Sequence, residues 1–124
     1  MDTSALIKLV IAEDESVAVD RYLDGADMLS SSLLVVEARR SILRRAPDRL
    51  PQMDIVLTRV GTAEISAAII ESASRLPDPM LRSLDAIHLA TALMVRDDLT
   101  AVLTYDDRLA TAAASHGLTV ESPA

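Results

Sequence analysis

Helical segments and short apolar strands alternate along the whole chain of 124 residues. The segments 55–60 and 101–105 are rich in Val, Ile and Leu, which favours strands. The segment 83–96 is rich in Ala and Leu and predicts a helix, and another helix is expected to end before Pro47. This alternation is typical of the α/β class, in which helices cover both faces of a parallel sheet.

Breaker and capping residues define the remaining elements. Gly25 and Gly117 are each placed to end a helix, and Pro77 ends the helix that Thr62 is expected to cap. The other predictions are helices over 4–11, 15–24 and 48–54, a helix capped by Ser31 or Ser32, a helix begun by Asp106 or Asp107, and strands over 28–30 and 118–121. With no internal repeat, the chain 1–124 is expected to be one domain.

Charge and composition exclude several classes of protein. The chain has 19 acidic and 12 basic residues and a net charge of −7, so it lacks the basic field of a simple nucleic-acid binder. It contains no Cys, which excludes disulfides, thiolate metal sites and a Cys nucleophile. Tyr22 and Tyr105 are its only aromatic residues, which disfavours base stacking on exposed rings. Without a signal peptide or a long apolar span, we expect a cytoplasmic protein.

Three acidic residues lie where predicted strands end and helices begin: Asp2, Asp106 and Asp107. In parallel α/β folds, ligands bind beyond the carboxyl ends of the strands, so these carboxylates could face one crevice. Each also has an ordinary interpretation, because Asp is a favoured N-cap residue and is common in the first turn of a helix. The sequence leaves both interpretations open.

Two further carboxylates stand among apolar residues within predicted helices. Glu37 follows a run of four aliphatic residues and could point inward to a site, or lie on the exposed face paired with Arg40 or Arg44. Asp85 could be a site residue or a first-turn acid favoured by the helix dipole. His88 follows Asp85 by three residues on the same helical face, and a packed or hydrogen-bonded His is favoured there over a metal ligand.

Several carboxylates in one crevice require a cation. Like charges raise one another's pKa, so the acids could not all stay ionised without one. Hard divalent cations prefer oxygen ligands, which makes Mg²⁺ the expected ion and Mn²⁺ the alternative.

Four motifs, together with the closing strand, resemble the PIN-domain ribonucleases, specifically the VapC toxins of bacterial VapBC toxin–antitoxin pairs. The resemblance covers essentially the whole chain. Each motif alone is a weak indication of the family, but the four motifs in this order are specific for it. It implies a three-layer α/β/α sandwich with a central, mostly parallel sheet. The motifs are Asp2-Thr3-Ser4-Ala5-Leu6, Leu34-Val35-Val36-Glu37-Ala38-Arg39, Leu84-Asp85-Ala86-Ile87-His88-Leu89-Ala90-Thr91-Ala92 and Thr104-Tyr105-Asp106-Asp107-Arg108-Leu109, and the closing strand contains Gly117-Leu118-Thr119-Val120.

The resemblance also implies roles for individual residues. Asp2, Glu37 and Asp85 would be the core metal ligands, with Asp106, rather than Asp107, as the fourth acid. Ser4 would hydrogen-bond within the site, Thr104 would orient the last motif or contact phosphate, and His88 would be structural. The implied activity is that of a Mg²⁺-dependent endoribonuclease in which a metal-activated water hydrolyses RNA.

The implied partners are RNA and a cognate VapB-type antitoxin. A homodimer is expected, with operator DNA bound only indirectly through the antitoxin and no membrane contact. Five Arg residues between positions 39 and 49 could grip phosphate beside the site, with Arg39 and Arg40 nearest to Glu37. The alternative is a solvated helix face paired with acids.

The chain departs from the family at its start, because Asp2 directly follows Met1 where the family has several apolar residues. We expect a truncated first strand with the true start upstream, and the alternative is a protein whose own first strand is stunted. The departure keeps a second hypothesis open, a catalytically inactive PIN-like binding module for an antitoxin or RNA. Two phosphotransferase classes are disfavoured. A receiver domain needs a Lys late in the chain, but Lys8 is the only Lys, and a haloacid-dehalogenase-type enzyme needs a second Asp two residues after the first, where this chain has Ser4.

Overall fold

The computed structural model describes residues 1–124 and contains seven α-helices and four short strands. No helix is long and apolar enough to cross a membrane. Short 3₁₀ turns follow α1, precede α4 and follow α6. The elements are α1 (Thr3–Leu6), α2 (Ser16–Leu23), β1 (Met28–Ser31), α3 (Leu33–Arg45), α4 (Leu50–Leu57), β2 (Val60–Ala63), α5 (Ala67–Ser74), α6 (Ser83–Met94), β3 (Val102–Leu103), α7 (Asp107–Ser115) and β4 (Val120–Glu121).

The strands form two parallel pairs, which confirms the α/β class with parallel strands. Met28 of β1 lies opposite Val60 of β2, and Val102 of β3 lies opposite Val120 of β4. Helices connect the paired strands, as parallel pairing requires. The dipeptide Met1–Asp2 lies between β1 and β3, the inner strands of the two pairs. The Met1 amino group donates to Leu29 O, and the Asp2 amide donates to Leu103 O (3.2 Å).

An open cleft of about 670 Å³ continues from Met1 between β1 and β3. Its lining is mostly apolar and includes Leu29, Leu99 and Leu103. The amides of Val102 and Thr104 bond to the β4 side, so Leu103 faces the other way, and its carbonyl oxygen accepts from the Asp2 amide at one end of the cleft. Burial lowers the pKa of the Met1 amino group, so its charge is unfavourable at this position. The cleft therefore has the backbone groups and the apolar walls that receive an extended segment.

Two expected elements are wrong. Residues 55–60 do not form a strand, because α4 continues to Leu57 and β2 begins only at Val60. Pro51 starts α4 well and Met53 is fully buried, so packing overrides the β-branched character of the segment. Thr62 is not a helix cap, since it pairs with Ser30 in the β1–β2 ladder. The next helix is capped by Ser66, whose side chain accepts a hydrogen bond from the Ile69 amide.

The core is aliphatic, as the composition requires, and it forms two clusters. The larger cluster packs α1, α2 and α3 together and includes the fully buried Leu6, Leu34 and Ile42. The smaller cluster lies among α6, α7 and β3 and includes Leu89 and Leu109. Site residues that begin α1 and α7 or lie on α3 and α6 are thus fixed by buried helices.

An ion-pair network joins the first helices to α3. Lys8 is buried, and its Nζ donates to Glu13 Oε2 (2.8 Å) and Glu15 Oε2 (2.9 Å) while lying 4.4 Å from the centre of the Tyr105 ring. Arg45 at the end of α3 donates to Glu13 Oε1 (3.0 Å). The hydrogen bond from Lys8, with that from Arg45, lowers the pKa of Glu13 below its usual value of 4.5.

We expect Glu13→Gln to destabilise the fold by about 1 kcal/mol at pH 7, because buried Lys8 loses a charged partner. The folded-state pKa of Glu13 lies below that of the unfolded chain. Its contribution is therefore fully present above about pH 4.5 and is lost as the pH falls through the folded-state pKa. Urea unfolding at pH 7 and pH 3 measures the difference, and the exposed Asp14→Asn is the control. An equal loss at both pH values would contradict the ionic account.

We expect a four-residue aliphatic segment joined ahead of Met1 to stabilise the fold by about 1–2 kcal/mol. The segment would bury apolar side chains in the cleft, and the gain is reduced by the entropy cost of ordering it. Thermal unfolding and hydrogen exchange at the Leu29 and Leu103 amides test this, with a Ser/Gly segment of equal length as the control. Equal stability of the two extended chains would refute a strand in the cleft.

Candidate active site

Asp2 is held rigidly at the start of α1. The residue is 6% exposed, and its two carboxylate oxygens each accept a side-chain hydrogen bond. Ser4 Oγ donates to Oδ1 (2.6 Å), and Thr104 Oγ1 donates to Oδ2 (2.8 Å). The Asp2 carboxylate is thus held in one orientation at the carboxyl end of the short Met1–Asp2 segment.

Ser4 and Thr104 also connect Asp2 to the segment that follows β3. Ser4 Oγ accepts from the Tyr105 amide (2.8 Å), and Thr104 Oγ1 accepts from the Asp106 amide (3.0 Å). Two hydroxyls therefore fix the distance between the first and last motifs, which are about 100 residues apart in sequence. Ser4, for which the resemblance implies a hydrogen bond within the site, contacts Asp2 and the Tyr105 amide.

Asp106 is the N-cap of α7 and also an acid of the site. Its Oδ1 accepts from the amides of Arg108 (2.9 Å) and Leu109 (3.1 Å), which leaves Oδ2 free to face other groups. Oδ2 lies 3.6 Å from a guanidinium nitrogen of Arg82. Asp107 is exposed and makes no recorded ion pair. The capping and site interpretations of Asp106 are therefore compatible, whereas Asp107 is exposed.

Asp85, on the first turn of α6, is a poorly solvated acid. Its side chain is 14% exposed, and its Oδ2 is buried without a hydrogen-bond partner. Burial raises the pKa of Asp85, and the charges of Asp106 and Asp2 raise it further. Arg82, whose Nε lies 3.6 Å from Oδ2, and His88 act in the opposite direction.

Glu37, on α3, faces α6 rather than solvent. His88 Nε2 lies 2.6 Å from Glu37 Oε1, and Thr3 Oγ1 donates to the same oxygen (3.2 Å). The Glu37 side chain is 22% exposed. Of the two interpretations of Glu37, the inward one describes the structure, and the expected pairing with Arg40 or Arg44 is absent.

The acids form a loose cluster that suits a divalent cation in chemistry but is not closed around one. Carboxylate oxygens are the ligands that Mg²⁺ and Mn²⁺ prefer, and the buried Asp85 Oδ2 accepts no hydrogen bond from the protein. No three acidic or histidine side chains are close enough together to hold one ion. The Arg82 guanidinium lies near both Asp85 and Asp106 and supplies positive charge there.

The Arg-rich segment after Glu37 is partly engaged. Arg39 pairs with Asp54 (2.9 Å), Arg45 pairs with Glu13, and Arg49 donates to Val10 O. Arg40 and Arg44 are exposed and make no recorded ion pair or hydrogen bond. Arg39 therefore lies on a solvated helix face and pairs with an acid, which was the alternative to phosphate binding. Within this segment, Arg40 and Arg44 are the Arg residues available to a ligand.

Sequence reasoning missed Arg82 and Thr3 as members of the site. Arg82 lies three residues before Asp85, so the i,i+3 spacing on α6 was the available signal. Thr3 stands next to Asp2, but its contact with Glu37 spans 34 residues and has no sequence signal. Neither Arg82 nor Thr3 was assigned a role in the site by the sequence motifs.

Parallel strands connected by helices, with carboxylates near the carboxyl ends of the strands, place the chain in a class of α/β proteins. Comparison of its sequence with known proteins identifies the family. A PIN domain family model matches residues 1–115, and the chain belongs to the PIN domain family. It is 44% identical to Ribonuclease VapC35 of Mycobacterium tuberculosis (strain CDC 1551 / Oshkosh), over 99% of this chain and 95% of that protein. Ribonuclease VapC47 of the same strain and Ribonuclease VapC46 of strain ATCC 25618 / H37Rv are each 36% identical over the same shares.

We expect Asp85→Asn to stabilise the metal-free protein at pH 7 by about 1 kcal/mol, because it removes a poorly solvated charge. The pKa of Asp85 is raised in the folded state, so the penalty is absent below its usual value of 3.8. The penalty appears as the pH rises through the folded-state pKa. Unfolding of both proteins in EDTA at pH 3 and pH 7 measures it. Destabilisation by Asp85→Asn at pH 7 would show that the charge is already well compensated.

Proposed function

We propose that this chain is the toxin of a type II toxin–antitoxin system and acts as a Mg²⁺-dependent endoribonuclease. The observation that supports it most is Asp85, whose buried Oδ2 accepts no hydrogen bond and whose pKa is raised by burial and by the charges of Asp106 and Asp2. Full-length similarity to proteins named VapC ribonucleases supplies the substrate class. A buried carboxylate oxygen that accepts no hydrogen bond is costly in a fold that has no use for it.

In this proposal, Asp2, Glu37 and Asp85 hold the metal, and Asp106 binds it directly or through water. Mn²⁺ can replace Mg²⁺, since both prefer oxygen ligands. The metal would supply positive charge beside Asp85 and Asp106, where the Arg82 guanidinium lies in this structure. Arg82 is 67% exposed and can swing toward solvent at little cost.

When bound, the metal lowers the pKa of a water molecule and offsets the negative charge that develops on the phosphate. Hydrolysis adds the water oxygen to phosphorus, and the P–O3′ bond breaks to leave a 3′-hydroxyl and a 5′-phosphate. The chain's own residues orient these groups. Ser4 and Thr104 fix the angle of the Asp2 carboxylate, and the N-cap bonds of Asp106 fix one of its oxygens.

We propose that Arg40 and Arg44 bind RNA phosphates beside the site, because they are exposed and unpaired. Arg39 contributes less, since Asp54 already holds its guanidinium. With two Tyr residues in the chain, base stacking adds little. A net charge of −7 is then compatible with RNA binding, because part of the acidity belongs to the metal site.

The proposed protein partner is a VapB-type antitoxin, and the proposed assembly is a homodimer. Val36 on α3 is 59% exposed and Ile55 on α4 is 66% exposed, so the surface beside Glu37 presents aliphatic side chains. Scattered exposed aliphatic residues are common, but these two lie on α3 and α4, which pack against each other. An antitoxin that covers this surface can reach the site and block RNA.

A catalytically inactive binding module is the second candidate. The observation that favours it is that no three acids lie close enough together to hold an ion. Such a protein would bind the antitoxin or RNA without metal-dependent cleavage.

Cleavage of total RNA separates the two candidates. We expect cleavage with Mg²⁺, its loss in EDTA, and a drop of at least about a hundredfold in Asp85→Asn and Asp106→Asn. Asn is as good an N-cap as Asp, so Asp106→Asn removes the charge and keeps α7. The neighbouring exposed Asp107→Asn is the matched control and should retain activity. RNA binding without cleavage, unchanged by Mg²⁺, would favour the binding module.

A further inference from the structure

His88 is a buried imidazole whose ring makes one recorded hydrogen bond, to Glu37. Its side chain is 6% exposed, and Nε2 lies 2.6 Å from Glu37 Oε1. His88 also lies one helical turn after Asp85 on α6. His88 therefore connects Glu37 of α3 to the face of α6 that carries Asp85.

Two donors converge on the same oxygen of Glu37. His88 Nε2 and Thr3 Oγ1 both contact Oε1, while Oε2 has no recorded protein partner. A Glu side chain has several rotatable bonds, and fixing one oxygen from two directions restricts them. The arrangement leaves Oε2 as the oxygen available to a ligand.

The same contact argues against His88 as a metal ligand. Its Nε2 is already engaged by Glu37, and ligation through that atom would break the 2.6 Å contact. Groups that orient ligating side chains through hydrogen bonds commonly change metal affinity by tenfold to a hundredfold. The position of His88, behind Glu37 and touching it, is that of such a group.

We propose that His88 is a positioning residue, which holds Glu37 through Oε1 so that Oε2 can bind the divalent cation. The proposal rests on the proposed metal-dependent function. It assigns to His88 and Thr3 together the orientation of the Glu37 carboxylate on α3.

The test is Mn²⁺ affinity measured by electron paramagnetic resonance without RNA. His88→Leu keeps most of the volume but removes the donor, and we expect about tenfold weaker binding. His88→Gln places an amide donor at a similar reach, and we expect affinity within about threefold of the parent chain. Thr91→Val, a buried polar residue on the next turn of α6, is the control and should bind normally. Thermal unfolding verifies that each variant is folded.

A second measurement needs no His88 variant. In the parent chain, the nitrogen-15 resonances of His88 should report a hydrogen-bonded Nε2 both before and after Mg²⁺ is added, and Glu37→Gln should change them. Loss of the hydrogen-bonded signal on adding Mg²⁺ would overturn the proposal. Equal Mn²⁺ affinity of His88→Leu and the parent chain, or equally weak binding by His88→Leu and His88→Gln, would also overturn it.

The outcomes distinguish this proposal from the proposed function. If the parent chain binds no Mn²⁺, both are overturned. If it binds Mn²⁺ in a His88-dependent way but does not cleave RNA, the ribonuclease proposal fails and the positioning role stands. If cleavage is metal-dependent while His88→Leu retains full affinity, only the positioning role fails.

Discussion

The hydrogen bonds from Ser4 and Thr104 to Asp2 are the interaction on which the rest of the structure depends. They connect the start of the chain to the segment after β3, across about 100 residues, and they tie the two parallel strand pairs together beside Met1. Because the Met1–Asp2 segment lies between the inner strands, its placement sets the distance between β1 and β3. The site is consequently built at the junction of the two pairs.

Electrostatic conflict at this junction explains the other features. Asp85 is buried near Asp2 and Asp106, and its raised pKa reflects burial and their charges. Arg82 relieves part of this conflict from a solvent-exposed position, and His88 and Thr3 hold Glu37 apart on α3. The fold thus keeps the acids ordered without bringing any three of them together.

Much of the fold could be predicted because it follows from local chemistry. The helix on 83–94, the N-cap at Asp106 and the positive-φ glycines Gly25 and Gly117 all follow from propensity and capping. The prediction of a strand over 55–60 was wrong, because Met53 packs in the core as part of α4 and the helix continues to Leu57. The prediction that Thr62 caps a helix was wrong, because Thr62 pairs with Ser30 in the β1–β2 ladder, and local sequence does not reveal a pairing between distant segments.

By itself, the sequence determined the alternation of helices and parallel strands, the aliphatic core and the identity of the acids, because each follows from side-chain type and spacing. It also placed Asp85 and His88 on one helical face. The tertiary structure alone decided that Glu37 faces His88 rather than an Arg, that Arg82 lies near Asp85 and Asp106, and that an apolar cleft lies between β1 and β3. Most of these contacts join segments far apart in the chain, and packing, not local propensity, determines which distant residues meet.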